Sequence, residues 1–360
     1  MRDNAKIVSM PVTNYAVRAA DVKRDKESIL ALWRQAFPGP AQHLVKYDWC
    51  YGQTPVGTGR LYVMQHGEDA AIIGVQGIVP RRWWSHGKVK ATGICADLVV
   101  DKNFRSIGPA LSMVRQVLEI EHKLPDAELL YGFPNPKSEA LYRRAGYSKW
   151  GEMTRYARPL RLHVWLARKG LPRLLARVLG KINDVAFQLR LILTTLQASK
   201  RWRCVTADAF DSRFDALWAR VVSHAEAMVI RDSEFLQWRF GNHFSGQTQV
   251  MVLESRDGQI DGYVVYVVNE DNMACILDFL AVDNDKALSA MLCMFLRAMY
   301  ARGYFGVMLE FAGPKHIREV LGRCGFLPRE TSPIYAVLDQ TDNGLIQDLE
   351  PYFTACDRDQ

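Results

Sequence analysis

The sequence lacks several features that would define its class at once. None of its seven cysteines stands in C-x-x-C spacing, so reduced thiols in a cytoplasmic protein are the simplest interpretation. Its eight histidines form no metal-ligand pattern. No run approaches the ~20 apolar residues that a transmembrane helix needs, and the first ten residues lack the apolar core of a signal peptide. These absences favour a cytoplasmic protein without a metal site.

Acidic residues are scarce in one segment. The chain carries a net charge of +7, but residues 155–203 contain twelve Lys or Arg and a single acid, Asp184. The rest of the chain is therefore slightly acidic. We expect any surface for an anionic partner to lie within residues 161–203.

A strand, a turn of small residues and a helix follow one another in residues 94–121. The apolar run ends at Val100, and a helical pattern begins near Gly108. Between them lies an R-x-x-G-x-A sequence from Arg105 to Ala110. Small residues let the backbone approach a ligand closely, and the free N–H groups of a helix start attract anions. This stretch therefore predicts a pyrophosphate site.

A second pattern follows, in which an apolar strand precedes Asn135, Tyr142 and Gly146-Tyr147. In this order and spacing the two patterns resemble the GNAT acyltransferase superfamily, over residues 15–158. In that superfamily a V-x-x-x-x-R-x-x-G-x-G/A sequence binds the pyrophosphate of acyl-CoA, and an N-x-x-x-x-x-x-Y-x-x-x-G-F/Y helix carries a tyrosine beside the thioester. The resemblance implies a mixed sheet flanked by helices, an acyl-CoA donor and acyl transfer.

The resemblance also implies roles for the matching residues. Arg105 would face the phosphates, Asn135 and an added-strand pairing would hold the pantetheine arm, and Tyr142 would protonate the departing thiolate or donate a hydrogen bond to it. The predicted donor-binding residues are Leu98, Val99, Val100, Arg105, Ser106, Ile107, Gly108, Ala110 and Asn135. The alternative for Tyr142 is a half-buried helix aromatic that only packs on the strand.

Acyl transfer to an amine also needs a group that accepts the amine's proton. Asp97 is the only acid inside the strand that ends at Val100, so we assign it this role. The alternative is a carboxylate that faces solvent or bonds a neighbouring backbone group.

The two halves of the chain share short words in the same order. Trp49–Gly52 recurs as Trp238–Gly241, and Arg144–Tyr147 recurs as Arg323–Phe326. Such an echo indicates two copies of one unit. We therefore predict an α/β protein with mixed sheets, divided into a GNAT-like acyl-CoA-binding domain (1–158), a basic helical connector (159–204), a degenerate GNAT-like domain (205–340) and an acidic tail on the surface (341–360).

The second copy lacks the features that would bind a donor. Residues 284–290 match the phosphate loop but contain no glycine and include Asp285, an acid that would repel a pyrophosphate. Val320 or Leu321 stands where the first copy has Tyr142. We expect the first copy to bind the donor and the cleft between the copies to bind the acceptor.

The connector has a strong amphipathic pattern after Pro172. Arg173, Arg177 and Lys181 flank the apolar positions. We favour a helix whose apolar face packs across the two domains; the alternative is a docking surface for an acyl carrier protein or an anionic membrane, with nucleic acid a weaker candidate. The apolar positions are Leu174, Leu175, Val178, Leu179, Ile182, Val185, Ala186, Leu189, Leu193 and Leu196.

The resulting prediction is an acyltransferase that uses acetyl-CoA or a longer acyl-CoA, located in the cytoplasm or at the inner face of the membrane. Its acceptor would be an amine, or in second place a hydroxyl, of a small or medium molecule such as an amino sugar or a cell-envelope precursor. Rival donors are acyl carrier protein and aminoacyl-tRNA, as in peptidoglycan crosslinking. A non-enzymatic scaffold is the remaining alternative, because Pro109 removes an N–H from the phosphate loop.

Overall fold

The computed structural model describes residues 15–67, 70–124, 128–168, 170–241, 248–282, 285–338 and 349–358. The first half of the chain, residues 15–159, contains strands and helices in the order β1 (Tyr15–Ala19), α1 (Lys26–Ala36), α2 (Pro40–Tyr51), β2 (Gln53–Thr54), β3 (Gly57–Thr58), β4 (Arg60–His66), β5 (Ala71–Ser85), β6 (Lys88–Val100), α3 (Ile107–Glu121), β7 (Leu129–Gly132), α4 (Glu139–Ala145) and β8 (Ser148–Pro159).

The connector forms two helices, α5 (Leu162–Arg168) and α6 (Arg173–Ala198). The second half, residues 202–338, then runs in a similar order and is followed by a short carboxy-terminal segment. Its elements are β9 (Trp202–Ala207), α7 (Ser212–Val222), β10 (Ala227–Val229), α8 (Ser233–Leu236), β11 (Gln249–Ser255), β12 (Ile260–Val268), β13 (Met273–Ala281), α9 (Asp285–Ala301), β14 (Gly306–Ala312), α10 (Lys315–Arg323), β15 (Leu327–Leu338) and, in the terminal segment, β16 (Phe353–Thr354).

One mixed sheet runs through both halves, and this confirms the predicted α/β class. Among the described residues it has 14 strands, with β10 beside β5 and β16 beside β14 at its margins. Apolar side chains cover both of its faces: α1 and α2 contribute to one core, and α3 and α4 to the other. The strand order along the main path is β1-β4-β5-β6-β7-β15-β8-β14-β13-β12-β11-β9.

The two halves exchange their last strands at the centre of this sheet. β15, from the second half, pairs with β7 of the first half. β8, from the first half, pairs with β14 of the second half, and β8 and β15 pair with each other. The exchange joins the halves into one sheet, so the boundary near residue 158 separates them in sequence but not in the hydrogen-bonded structure.

The repeated words lie at the junction of the halves. The rings of Trp49 and Trp238 stack with their centroids 4.6 Å apart and an angle of 13° between their planes. The Trp49 indole N–H donates to the carbonyl of Trp238 at 3.0 Å. Two residues that match in the repeat therefore contact each other, as expected when the halves are related by an approximate two-fold axis.

The expected surface tail is wrong for residues 349–358, which are largely buried against both halves of the chain. The sequence patterns also did not predict helix α2, whose first turn Pro40 occupies. Before α1, the Asp25 side chain makes no capping bond; instead it accepts hydrogen bonds from the Arg18 guanidinium at 2.6 and 3.1 Å.

The preferred interpretation of the connector is wrong as well. The large apolar side chains that were expected to pack inward, where the structure describes them, point outward: Leu174 is 76% exposed and Leu193 65%. The opposite face, with Ala176, Leu191 and Ala198, is the buried one. The structure does not describe the side chains of four further positions of this pattern, Arg173, Arg177, Ile182 and Ala186. No helix in the described part of the chain is long and apolar enough to span a membrane.

Candidate active site

Strands β6 and β7 separate at their carboxyl ends. They pair in parallel from Thr92 with Leu129 to Ile94 with Tyr131, and β6 then continues to Val100. We call the opening beyond this last pair the first notch. A strand edge that leaves its neighbour in this way can bind an extended ligand segment as an added strand.

A β-bulge shapes the β6 side of the first notch. Gly77 of β5 lies opposite Ala96, and Val75 lies opposite Val99, so Asp97 and Leu98 together face one residue of β5. Asp97 adopts a φ of 53°, in the left-handed region that non-glycine residues rarely occupy. A bulge bends its strand and re-aims the side chain there, and such features are common beside active sites.

The bulge points the Asp97 carboxylate at helix α2. The Lys46 ammonium lies 2.6 Å from one carboxylate oxygen, and the Tyr51 hydroxyl donates to the other at 2.6 Å. Asp97 is 4% exposed, so it does not face solvent. Gly77 makes this arrangement possible, because a Cβ there would lie only 1.8 Å from the Tyr51 hydroxyl oxygen.

Tyr142 approaches the first notch from the other face of the sheet. It is buried in the core beneath α3 and α4, with its ring 4.9 Å from that of Tyr147. A Cβ at Gly132 would lie 2.8 Å from the Tyr142 hydroxyl oxygen. The absent side chain therefore lets this hydroxyl rest against the end of β7, where the notch begins.

The predicted phosphate loop is exposed and lies at the start of α3. Ser106 is extended, and the helix begins at Ile107. The nearest atom to a Cβ built on Gly108 is 3.9 Å away, so space surrounds the loop. The N–H groups of the first four residues of a helix have no acceptor inside that helix. Pro109 has no N–H, so α3 presents three such donors, including the N–H of Ala110.

The other predicted donor-binding residues are placed less uniformly. Val99 and Val100 are buried and pair with β5, while Leu98 is half-buried at the bulge. Asn135 is exposed, and its side-chain oxygen already accepts from the backbone N–H groups of Lys137 and Ser138, each at 3.0 Å. Only the NH₂ group of Asn135 is therefore suited to contact a ligand.

A cavity of about 700 Å³ lies between the two halves. Asp97 is in its wall, so the cavity adjoins the β6 side of the first notch. Helices α1 and α2 and the turn between them line one side with Trp33, Phe37, His43 and Lys46. The second half and the carboxy-terminal segment line the other side with residues that include Ile276, Leu309, Cys356 and Arg358.

His43 is the unexpected polar group in this wall. It is 5% exposed, and neither of its ring nitrogens has a hydrogen-bond partner among the described residues. The rings of Trp33 and Phe37 contact it edge to face, with centroids at 6.3 and 6.5 Å. Lys46 follows three residues later on α2, and its ammonium lies 5.8 Å from the centre of the same Phe37 ring.

The charges of the cavity wall are unequal. Among the residues that the structure describes, the wall contains Lys46, Arg155, Arg239 and Arg358 and only two carboxylates, those of Asp97 and Glu310. Arg358 and Arg155 both pair with Glu310, at 3.0 and 3.4 Å. The Arg239 guanidinium donates to the carbonyls of Cys356 and Arg358, and burial lowers its pKa. The wall therefore favours a ligand that carries negative charge.

Strands β13 and β14 form a second notch in the second half. Their parallel pairing ends at Ile276 with Leu309. Beyond this point β16 takes the vacant edge of β14, as Thr354 pairs with Phe311 and Phe353 with Ala312. The Tyr352 hydroxyl donates to the carbonyl of Phe279 on β13. The chain's own terminal segment thus lies between the two separating strands.

An ion-pair network holds this segment in place. Asp278 and Asp97 occupy equivalent register positions in β13 and β6. The residue three positions after Asp278 pairs with Gly262, and the residue three positions after Asp97 pairs with Gly74. The Arg231 guanidinium lies 3.1 Å from Asp278 and 2.6 Å from Asp357. The Tyr263 and Thr354 hydroxyls also donate to Asp278, at 2.6 and 2.7 Å. All five residues of this network are 0–1% exposed.

Solved structures share this architecture. GCN5-related N-acetyltransferases from Anabaena variabilis (12% identity, TM-score 0.64, covering 91% of this chain and 73% of that one) and from Kribbella flavida (14%, 0.59, 91% and 72%) match it. Saccharomyces cerevisiae N-myristoyltransferase with bound myristoyl-CoA matches as well (14%, 0.55, 93% and 81%). No protein-family model and no curated protein matches the sequence. The chain therefore has the GNAT fold, which confirms the predicted resemblance at the level of fold.

Proposed function

We propose that the protein is an acyl-CoA-dependent acyltransferase that acylates an amine of a small or medium-sized acceptor. The observation that carries this proposal is the position of Asp97, which lies both at the edge of the first notch and in the wall of the large cavity. A thioester held in the notch and an amine held in the cavity would meet at this residue. In the structure of N-myristoyltransferase, a neighbour with the same fold, the bound molecule is myristoyl-CoA.

The first half would bind the donor. The N–H groups at the start of α3 and the Arg105 guanidinium suit the pyrophosphate, because both present several donors to phosphate oxygens. The backbone of Leu98–Val100 would pair with the pantetheine arm. The bulge leaves one residue of β6 without its strand partner, and an N–H there would polarise the thioester carbonyl.

Two groups would handle the protons. Tyr142, which reaches the notch from the α3 and α4 face, would donate to the departing thiolate. On the cavity side, the bare nitrogen of a neutral His43 imidazole can accept the proton of the acceptor ammonium directly or through water. Asp97 is the alternative base. Where His43 accepts the proton, Asp97, with its oxygens bonded to Lys46 and Tyr51, would attract the ammonium to the notch.

The second half would act as a degenerate copy that shapes the acceptor site. Residues of the terminal segment fill the place where a donor would lie, and Asp285 stands in the first turn of α9. An acceptor that combines an amine with an acidic group fits the excess of basic side chains in the cavity wall. An amino sugar acid or a cell-envelope precursor has this combination.

Calorimetric titration with acetyl-CoA and with a long-chain acyl-CoA tests the donor site. We expect micromolar binding by the intact protein, and its loss in the variant Arg105→Ala with Gly108→Asp. Lys286→Ala, which removes a cation from the first turn of α9, is the matched control and should bind normally. Equal losses in both variants, or no binding by the intact protein, would refute the CoA donor and favour carrier-protein or tRNA donors.

Turnover then tests the proton-transfer groups. A screen of amine acceptors, followed by thiol release, should show a fall in kcat on the order of 10²–10⁴-fold in Tyr142→Phe and in His43→Gln. Both variants should still bind acyl-CoA. If His43→Gln retains full activity while Asp97→Asn loses it, Asp97 is the base. Full activity in Tyr142→Phe would leave Tyr142 as a packing residue.

A further inference from the structure

Helix α6 presents a broad apolar face to the outside of the molecule. At 3.6 residues per turn, the exposed positions fall within one side of the helix. The buried side carries Thr195, whose hydroxyl accepts from Arg297 of α9 at 2.9 Å. The outward residues, 36–76% exposed, are Leu174, Leu175, Val178, Leu179, Val185, Leu189, Ile192, Leu193 and Leu196.

Basic side chains border this face and acids are absent from it. Lys181 and Arg190 are exposed and lie on opposite edges of the apolar stripe in the same helical projection. The single acid of residues 155–203 is Asp184, which is 8% exposed and faces inward. It accepts from the backbone N–H of Leu162 at 3.1 Å and lies 3.3 Å from the His163 ring. The charged groups on the outer surface of α6 are thus all positive.

We propose that α6 binds the surface of an anionic membrane, with its axis in the plane of the interface. A helix of 26 residues is roughly 39 Å long, and its apolar side chains form a continuous convex stripe that suits a flat surface better than a groove in a partner protein. Long basic side chains at the borders can reach lipid phosphates while their stems stay in the apolar layer.

Charge separates this partner from the other candidates. A second copy of the chain would bring two α6 helices together, each with four basic residues and only the inward-facing Asp184, and electrostatic repulsion opposes this contact. An acidic carrier protein would satisfy the basic border but leave most of so long an apolar stripe exposed. An anionic lipid surface can contact both groups at once, because its acyl chains cover the apolar stripe and its phosphates pair with the basic border.

Vesicle co-sedimentation with the full chain tests the proposal. We expect binding to vesicles of phosphatidylcholine mixed with phosphatidylglycerol, weakening with salt, and little binding to phosphatidylcholine alone. The variant Leu174→Gln, Leu189→Gln, Leu193→Gln should bind roughly tenfold or more weakly. Lys181→Gln with Arg190→Gln should reduce binding by a similar factor on anionic vesicles.

The matched control is Val22→Gln, Val89→Gln, Leu327→Gln, which changes three apolar side chains of 45–55% exposure elsewhere and should bind normally. Thermal melts that match the unaltered protein establish that each variant is folded. Equal binding by the leucine variant and the control would overturn the proposal. So would a concentration-dependent dimer, seen by analytical ultracentrifugation without vesicles, that the leucine variant abolishes.

Discussion

The two notches of the sheet have the same construction and different contents. In each, two parallel strands separate after a few paired residues, and an aspartate follows at a bulge. In the first notch Asp97 faces a lysine and a large cavity. In the second, Asp278 faces Arg231 and is sealed beneath the terminal segment. The same backbone feature can therefore serve as a ligand site or as a place where the chain completes its own sheet.

The contents of each notch determine what its aspartate contributes. Asp278 and Asp357 are fully buried, so their charges depend on Arg231. Burial raises the pKa of Asp357, although the Arg231 charge opposes this shift. Asp97 is also buried, but it borders open space where an acceptor or water can interact with it. We infer that the second network stabilises the fold and that the first is available for chemistry.

The largest expected effect is on stability. Arg231→Met leaves two carboxylates buried without their cation, so the free energy of unfolding should fall by about 3–5 kcal/mol. Lys46→Met, the corresponding change in the first notch, leaves Asp97 its tyrosine hydroxyl and the cavity, and should cost about 1–2 kcal/mol. Urea denaturation of both variants measures the difference. Equal losses would mean that the two networks have the same structural role.

An intermediate effect is expected from a single methyl group. Gly132→Ala places a Cβ within 2.8 Å of the Tyr142 hydroxyl oxygen, so the hydroxyl must move away from β7. A displacement of about 1 Å can cost on the order of 10²-fold in rate. Gly322→Ala in α10, where nothing lies within 4 Å of the added Cβ, is the control. Thiol release from acyl-CoA should fall only in the first variant; unchanged turnover in both would remove Tyr142 from the mechanism.

The smallest effect concerns the Cys356 thiol in the second notch. Burial raises the pKa of this thiol well above its usual value, so it should react slowly with iodoacetamide in mildly alkaline solution. Phe353 packs against Trp83, Tyr131 and Trp150, and Phe353→Ala should loosen the segment and speed alkylation several-fold. Mass spectrometry of the labelled peptide measures the rate. Acyl-CoA affinity should change little, because the proposed donor residues of the phosphate loop and of Leu98–Val100 remain in place.

Local patterns in the sequence predicted the secondary structure around the proposed donor site, although the donor-binding roles themselves stay predictions. The phosphate loop precedes α3, and Tyr142 lies on α4 near the predicted strand end. The cavity wall was not predicted because α2 was not predicted, and no pattern singled out His43 or Lys46. The carboxy-terminal segment was missed since its acids indicated a surface, whereas Arg231, more than a hundred residues earlier, compensates Asp357.

The strand exchange was beyond any local pattern. β8 and β15 have similar length and follow similar helices, and nothing in either strand specifies which half it will pair with. The outward face of α6 is a related case. A helical period shows that one side is apolar, but the period does not show whether protein or another medium covers that side.

The exchanged strands also have a consequence for biosynthesis. β7 needs β15 as its neighbour, and β15 follows it by roughly two hundred residues, so at typical translation rates of about 5–20 residues per second the nascent chain waits on the order of ten to forty seconds for this strand. During that interval the edge of β7 is unpaired, and such an edge can pair with other chains. Synthesis of this protein thus includes a period of exposure to misassembly in which protection of the emerging first half by chaperones would be most effective.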